Sequence, residues 1–126
     1  VNVVAEDEIV KYLYDHGVRY FTFDNINSLR KFLSYANPSS IKLSIRLNII
    51  EVFNVYSHLG AKTNECYQMF DLLKSLNINN VGISFYLQKE TLPEGNVLNT
   101  MLDYIKENFN NYKLEFLNIG GAGEYF

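Results

Sequence analysis

The sequence predicts an α/β domain built on parallel strands, and three observations carry that prediction. Short β-branched and aromatic runs alternate with longer segments whose apolar residues recur at helical spacing. The alternation holds along the whole chain, in the order α-β-α-β-α-β-α-β. No Pro/Gly/Ser linker or low-complexity segment interrupts it, so residues 1–126 read as one domain. Strands separated by amphipathic helices imply parallel pairing through crossovers. Four such strands form either a small open sheet or an arc of an eight-stranded barrel.

Each element has its own signal. Ala5 to His16 reads as a helix with Ile9, Val10 and Leu13 on one face and Gly17 placed to end it. "VRYFTF" (Val18 to Phe23) has the composition of a buried strand. Asp24 or Asn25 can cap the next helix, whose stripe is Ile26, Leu29, Phe32 and Leu33. Asn37-Pro38 breaks that helix, and "IKLSIRL" (Ile41 to Leu47) alternates as a strand. Ile49 to Ala61 is the least regular stretch and is expected to hold a loop over one strand end. Thr63 is placed to cap a helix carrying Cys66, Met69, Phe70, Leu73 and Leu76. "VGISFYL" (Val81 to Leu87) is a strand, and a helix from about Glu94 carries Val97, Leu98, Met101, Leu102, Ile105 and Phe109. "KLEFLNI" (Lys113 to Ile119) is the last strand and runs into Gly120-Gly121.

Composition narrows the function classes. The chain is 48% hydrophobic and 20% charged, as expected of a soluble globular domain. A net charge of −3 without any Lys/Arg run argues against nucleic acid as a main partner. One cysteine, Cys66, excludes an internal disulfide and fits a reducing, cytoplasmic setting. No apolar run is long enough to cross a bilayer. The first residue is Val rather than Met, and the chain stops just after its glycine pair, as a processed chain or fragment would.

Parallel α/β folds place ligands at the carboxyl ends of their strands. Those ends carry Asp24, Arg46 with Asn48, Tyr86 to Lys89, and Gly120-Gly121. Each has a structural reading beside the functional one. Asp24 suits an N-cap, Arg46 a core ion pair, Tyr86 a core position and the glycines a turn. Yet a buried guanidinium needs a partner, and a glycine pair after a parallel strand lets backbone amides reach a phosphate. His16 suits a helix carboxyl end, His58 has no spaced acid or cysteine, and no metal-ligand cluster exists. Cys66, on an apolar stripe, reads as a packing residue.

Taken in order, "GVRYFTFDN", "KLSIRLN", "SHLGA", "VGISFYL" and "LNIGGAG" resemble the ornithine/diaminopimelate/arginine decarboxylase family. That family uses pyridoxal 5′-phosphate (PLP) on an alanine-racemase-like TIM barrel, and the resemblance covers nearly the whole chain. It implies part of a PLP-binding barrel, fold type III, from a carbon–carbon lyase of amino-acid metabolism and polyamine biosynthesis. By the same resemblance Asp24 and Arg46 line the cofactor site, and Tyr86 stands where the family has a ring-stacking histidine. Gly120, Gly121 and Ala122 fall on the Gly-Gly-Gly run that holds the phosphate, and Lys89 stands where a serine contacts it. An amino acid, as a small-molecule ligand, is the implied substrate, and a homodimer with a second domain the implied intact assembly.

The departures are specific. A phenol at Tyr86 stacks but does not exchange a proton near neutral pH as imidazole does. Asn118 replaces an aspartate, and Ala122 adds a methyl where the family has glycine. The family's Schiff-base lysine and the acid pairing the pyridine nitrogen fall before residue 1 and after residue 126, so no catalytic residue is assigned and PLP binding is expected to be weak or absent. Two other readings stay open: a non-catalytic decarboxylase-like protein of antizyme-inhibitor type acting in protein binding, and another phosphate-binding TIM barrel.

Overall fold

The computed structural model describes residues 7–54, 59–87 and 96–119. In chain order the elements are helix α1 (Asp7–Asp15), strand β1 (Tyr20–Phe23), helix α2 (Ile26–Leu33), a 3-10 turn (Pro38–Ser40), strand β2 (Lys42–Arg46), helix α3 (Ile50–Phe53), helix α4 (Thr63–Ser75), strand β3 (Val81–Ser84), helix α5 (Val97–Asn108) and strand β4 (Leu117–Asn118). The four strands form one parallel sheet in the order β1-β2-β3-β4. The fold is that of part of a TIM barrel: parallel strands in sequence order, joined by helices.

The register sorts the strands into two faces. Thr22 lies beside Ser44, Ser44 beside Gly82, Arg46 beside Ser84, and Ser84 beside Asn118. Because side chains alternate, these residues share one face. Phe21, Phe23, Leu43, Ile45, Val81 and Ile83 occupy the other, all buried against the helices. The Phe32 ring of α2 packs on Phe21 at 4.7 Å and on Phe23 at 5.2 Å between centroids. Cys66, Met69, Phe70 and Leu73 of α4, with Met101 and Ile105 of α5, complete that layer.

The polar face is concave. β1 and β4 are the two edge strands, separated in a flat sheet by about 14 Å, three strand spacings. Yet Asn118 Nδ2 donates to Tyr20 Oη at 2.7 Å, and the Tyr20 and Phe116 rings meet edge-on at 5.8 Å. Two edges can touch through side chains only if the sheet curls, as strands do in a barrel. Gly82 permits the closure. A Cβ there would lie 2.6 Å from the Phe116 ring and would also strike the Phe116 carbonyl oxygen.

Of the two candidate caps for α2, Asn25 takes the position, its Oδ1 accepting from the Asn27 and Ser28 amides at 2.9 and 3.1 Å. Several other expected details change. Thr63 is the first residue of α4 rather than its cap; Glu51 Oε1 accepts its amide at 2.8 Å. Ile9 is exposed, because α1 turns Val10, Leu13 and Tyr14 inward and leaves Ile9 off that stripe. Leu76 is exposed too: the chain reverses at Asn77 (φ +57°), and Ile78 takes the core position instead. The expected loop from Ile49 to Ala61 contains the short helix α3, ended by Asn54 at φ +54°. β4 has two residues rather than seven. Gly17, at φ +98°, ends the first helix as expected.

Candidate functional site

With all four strands parallel, their carboxyl ends form one rim. Asp24 directly follows β1, Arg46 ends β2, Tyr86 lies two residues past β3, and Asn118 ends β4. Phe85 and Leu87 are buried, whereas Tyr86 is 40% exposed, so Tyr86 continues the alternation toward the concave side with Ser84. The rim therefore gathers Asp24, Arg46 and Tyr86. Lys89, Gly120, Gly121 and Ala122 lie outside the described residues, as does His58.

Asp24 is spared capping duty and does something else. Its Oδ2 accepts the Gly60 amide at 3.2 Å. Gly60, at φ +95°, is pressed onto the end of β2, where a Cβ would sit 2.8 Å from the Asn48 nitrogen and 3.0 Å from Arg46 Cγ. Only glycine fits. The next residue pairs with β2 on the side that β1 has vacated: Ala61 N donates to Arg46 O at 2.9 Å, and Asn48 N donates to Ala61 O at 2.8 Å. Asp24 thus reaches Arg46 through Gly60, fastening the segment after α3 against the arginine stem. The motif "SHLGA" carries no local signal for this role of Gly60; the positive φ and the close approach arise from closure with Asp24, 36 residues away.

Arg46 is half-buried and makes no ion pair with a described residue. The core ion pair is therefore not the outcome among the described residues. Its Nε is buried without a hydrogen-bond partner in the protein, and so is Ser84 Oγ beside it. The other concave hydroxyls are satisfied among themselves. Thr22 Oγ1 and Ser44 Oγ are hydrogen-bonded to each other at 2.6 Å, and Tyr20 Oη donates to Ser44 Oγ at 3.3 Å. This polar ladder went unassigned in the sequence, although the hydroxyl residues of "YFTF" and "KLSIR" encode it.

Cys66 is fully buried, and burial pushes its thiol well above the usual range. It is a packing residue, as expected. His16 stacks on Tyr12 at 4.0 Å and lies away from the rim. Among the described residues no group of three metal-ligating side chains occurs, and no helix is long and apolar enough to cross a membrane.

No established family profile matches the chain. It is 25% identical over 87 residues to a probable ornithine decarboxylase of Dictyostelium discoideum, covering 68% of this chain and 19% of that protein. A lysine/ornithine decarboxylase of Vibrio vulnificus superposes on 93% of this chain with a TM-score of 0.65 at 21% identity, in a structure complexed with putrescine. The same enzyme complexed with cadaverine gives 0.63 at 20% identity over 90%. The chain resembles the lysine/ornithine decarboxylases in sequence and in fold. It spans about a fifth of the Dictyostelium relative and under a third of each Vibrio chain. The curled sheet is thus a decarboxylase-like barrel arc. Its described rim carries Arg46, whose Nε is buried and unmatched, and the exposed ring of Tyr86.

Proposed function

We propose that this chain forms part of the PLP-binding barrel of a basic-amino-acid decarboxylase of the ornithine, lysine or diaminopimelate type. The observation that carries the reading is Arg46, a barrel-face cation at the carboxyl rim with a buried donor unmatched by protein. When bound, PLP supplies an electron sink for the carbon that loses carbon dioxide. This chain's residues hold and orient the cofactor. Arg46 donates to an anionic oxygen, the Tyr86 ring offers a stacking surface, and Gly60 with Asp24 keeps the arginine stem in place. Lys89 and the run Gly120, Gly121, Ala122 are proposed to face the phosphate. On this reading the 126 residues supply binding but no catalytic group. The intact cytoplasmic protein is proposed to act as a homodimer on an amino-acid substrate.

PLP titration followed by its absorbance and by tyrosine fluorescence tests this. Saturable, reversible binding is expected, weakened about tenfold or more by Arg46→Ala, because a charge-assisted hydrogen bond contributes about 1.5–3 kcal/mol. Cys66→Ser should leave it unchanged. Tight binding indifferent to Arg46 would place the pocket elsewhere. A non-catalytic decarboxylase-like scaffold is the second reading, and Asn118 favours it: its amide is engaged with Tyr20. That reading expects no saturable PLP binding.

A further inference from the structure

The two unmatched donors of the barrel face are register neighbours. Arg46 of β2 and Ser84 of β3 are paired residues on adjacent strands, so their side chains leave the sheet side by side toward the concave face. Arg46 Nε and Ser84 Oγ are also the two buried side-chain atoms, among the described residues, that lack a hydrogen-bond partner in the protein. Their neighbours do not compete for the same partner. Thr22, Ser44 and Tyr20 are bonded to one another, and the Asp24 carboxylate is engaged by the Gly60 amide. Leaving two adjacent buried donors unmatched is costly, and a charged donor such as the half-buried Arg46 favours an anionic acceptor over a neutral one.

From this pairing we infer that Arg46 Nε–H and Ser84 Oγ–H form a two-donor site for one oxygen of an anionic ligand, a carboxylate or phosphate oxyanion. Ser84 is thereby a binding residue in its own right. The inference deepens the proposed PLP reading, on which it rests for the identity of the ligand but not for the site. A neutral water would satisfy both hydrogen bonds, but an oxyanion accepts them more strongly because the Arg46 donor is charged. The geometry also explains why β3 carries serine at a position where its flanking residues Ile83 and Phe85 are apolar: Ser84 faces the arginine, and they face the helices.

The test is nitrogen-15 NMR of the Arg46 Nε–H during separate titrations with PLP, inorganic phosphate and acetate. Wild type and Ser84→Ala are followed by this signal; Arg46→Lys, which keeps the charge and removes the Nε donor, is followed by its backbone amide signals in the same titrations. A saturable shift of the Arg46 signal is expected with at least one anion, with that anion bound about tenfold more weakly by Ser84→Ala and by Arg46→Lys. A response to phosphate or acetate without PLP binding upholds the two-donor site and overturns the PLP reading. PLP binding that leaves the Arg46 signal unmoved does the reverse. A persistent water contact at Arg46 Nε–H under saturating levels of all three anions identifies a resident water and overturns the inference. Because the wild-type signal decides each case, misfolding of a variant does not obscure the result.

Discussion

The convex and concave faces of the sheet come from alternate residues of the same strands, yet they are held by different physics. On the convex face Phe21, Phe23, Leu43, Ile45 and Ile83 are wholly removed from water against α2 and α4. Burial of that kind is non-directional, and each large side chain contributes about 1.5–3 kcal/mol. On the concave face Thr22, Ser44 and Ser84 are equally buried but polar, so each needs a partner at a definite angle. Thr22, Ser44, Tyr20 and Asn118 find one another across the curl, whereas Arg46 and Ser84 do not. Apolar burial is concentrated on the convex face, and unmatched donors lie on the concave one.

The comparison breaks if a convex truncation is mild. Phe32→Ala removes a ring packed against Phe21, Phe23, Tyr14 and Tyr35 and opens a cavity in the helix layer. A loss of about 3–5 kcal/mol is expected by urea denaturation. A loss under about 1 kcal/mol would mean that this layer is not the main source of stability. The next effect comes from the concave side. Gly82→Ala drives a methyl into the Phe116 ring and carbonyl, and a backbone atom cannot yield as a side-chain tip can. About 1–3 kcal/mol should be lost. Amide exchange should accelerate first around Phe116 and Asn118, since their strand must lift away. Uniform acceleration would show that β4 is not separately held.

The convex half was largely legible in the sequence, because a buried helix stripe and a buried strand are both read from apolar spacing. Leu29, Phe32, Cys66, Met69, Phe70 and Leu73 are all buried as their spacing predicts. What failed locally failed at ends. Two adjacent polar residues, Asp24 and Asn25, are equivalent as caps in one dimension, and only the path of the chain chooses Asn25. The concave half was legible in part. Asp24, Arg46 and Tyr86 do share the carboxyl rim, since parallel topology alone fixes which strand ends coincide. That Asp24 grips Gly60, and that Ser84 stands beside Arg46, depends on register and loop closure, which no local pattern carries.

A milder change sharpens the contrast within the concave face. Thr22→Val keeps shape but deletes the hydroxyl bonded to Ser44 at 2.6 Å. Ser44 retains its bond from Tyr20, so about 1 kcal/mol should be lost. The same experiment on the unmatched pair, Ser84→Ala, should cost less or even stabilise the free protein, since it removes a buried polar atom that has no protein partner. Equal losses for the two variants, measured by denaturation without added anion, would erase the distinction between satisfied and unmatched hydroxyls.

The smallest expected effect is a pH dependence confined to the convex, helix-bearing side. Tyr112 lies against Phe70 and Tyr67, and its hydroxyl donates to Asp71 Oδ1 at 2.7 Å. Burial, and then the bond to the carboxylate, push its phenol from 10.0 up to about 12. A raised pKa means that the folded state holds the proton more tightly than the unfolded chain. Its contribution is therefore complete below about pH 10 and is lost as pH rises from there through about 12. Tyr67, raised mainly by burial, acts in the same direction, while Tyr14, lowered by the Asn37 amide bonded to its oxygen, acts in the opposite one. Tyr112→Phe should therefore flatten the alkaline fall in stability without abolishing it. Denaturation midpoints for both proteins between pH 9 and pH 12, read as a difference about the unfolded-state phenol near pH 10, measure this directly. Parallel curves would show that Tyr112 loses its proton as readily folded as unfolded, and that the Asp71 bond contributes nothing to the helix layer.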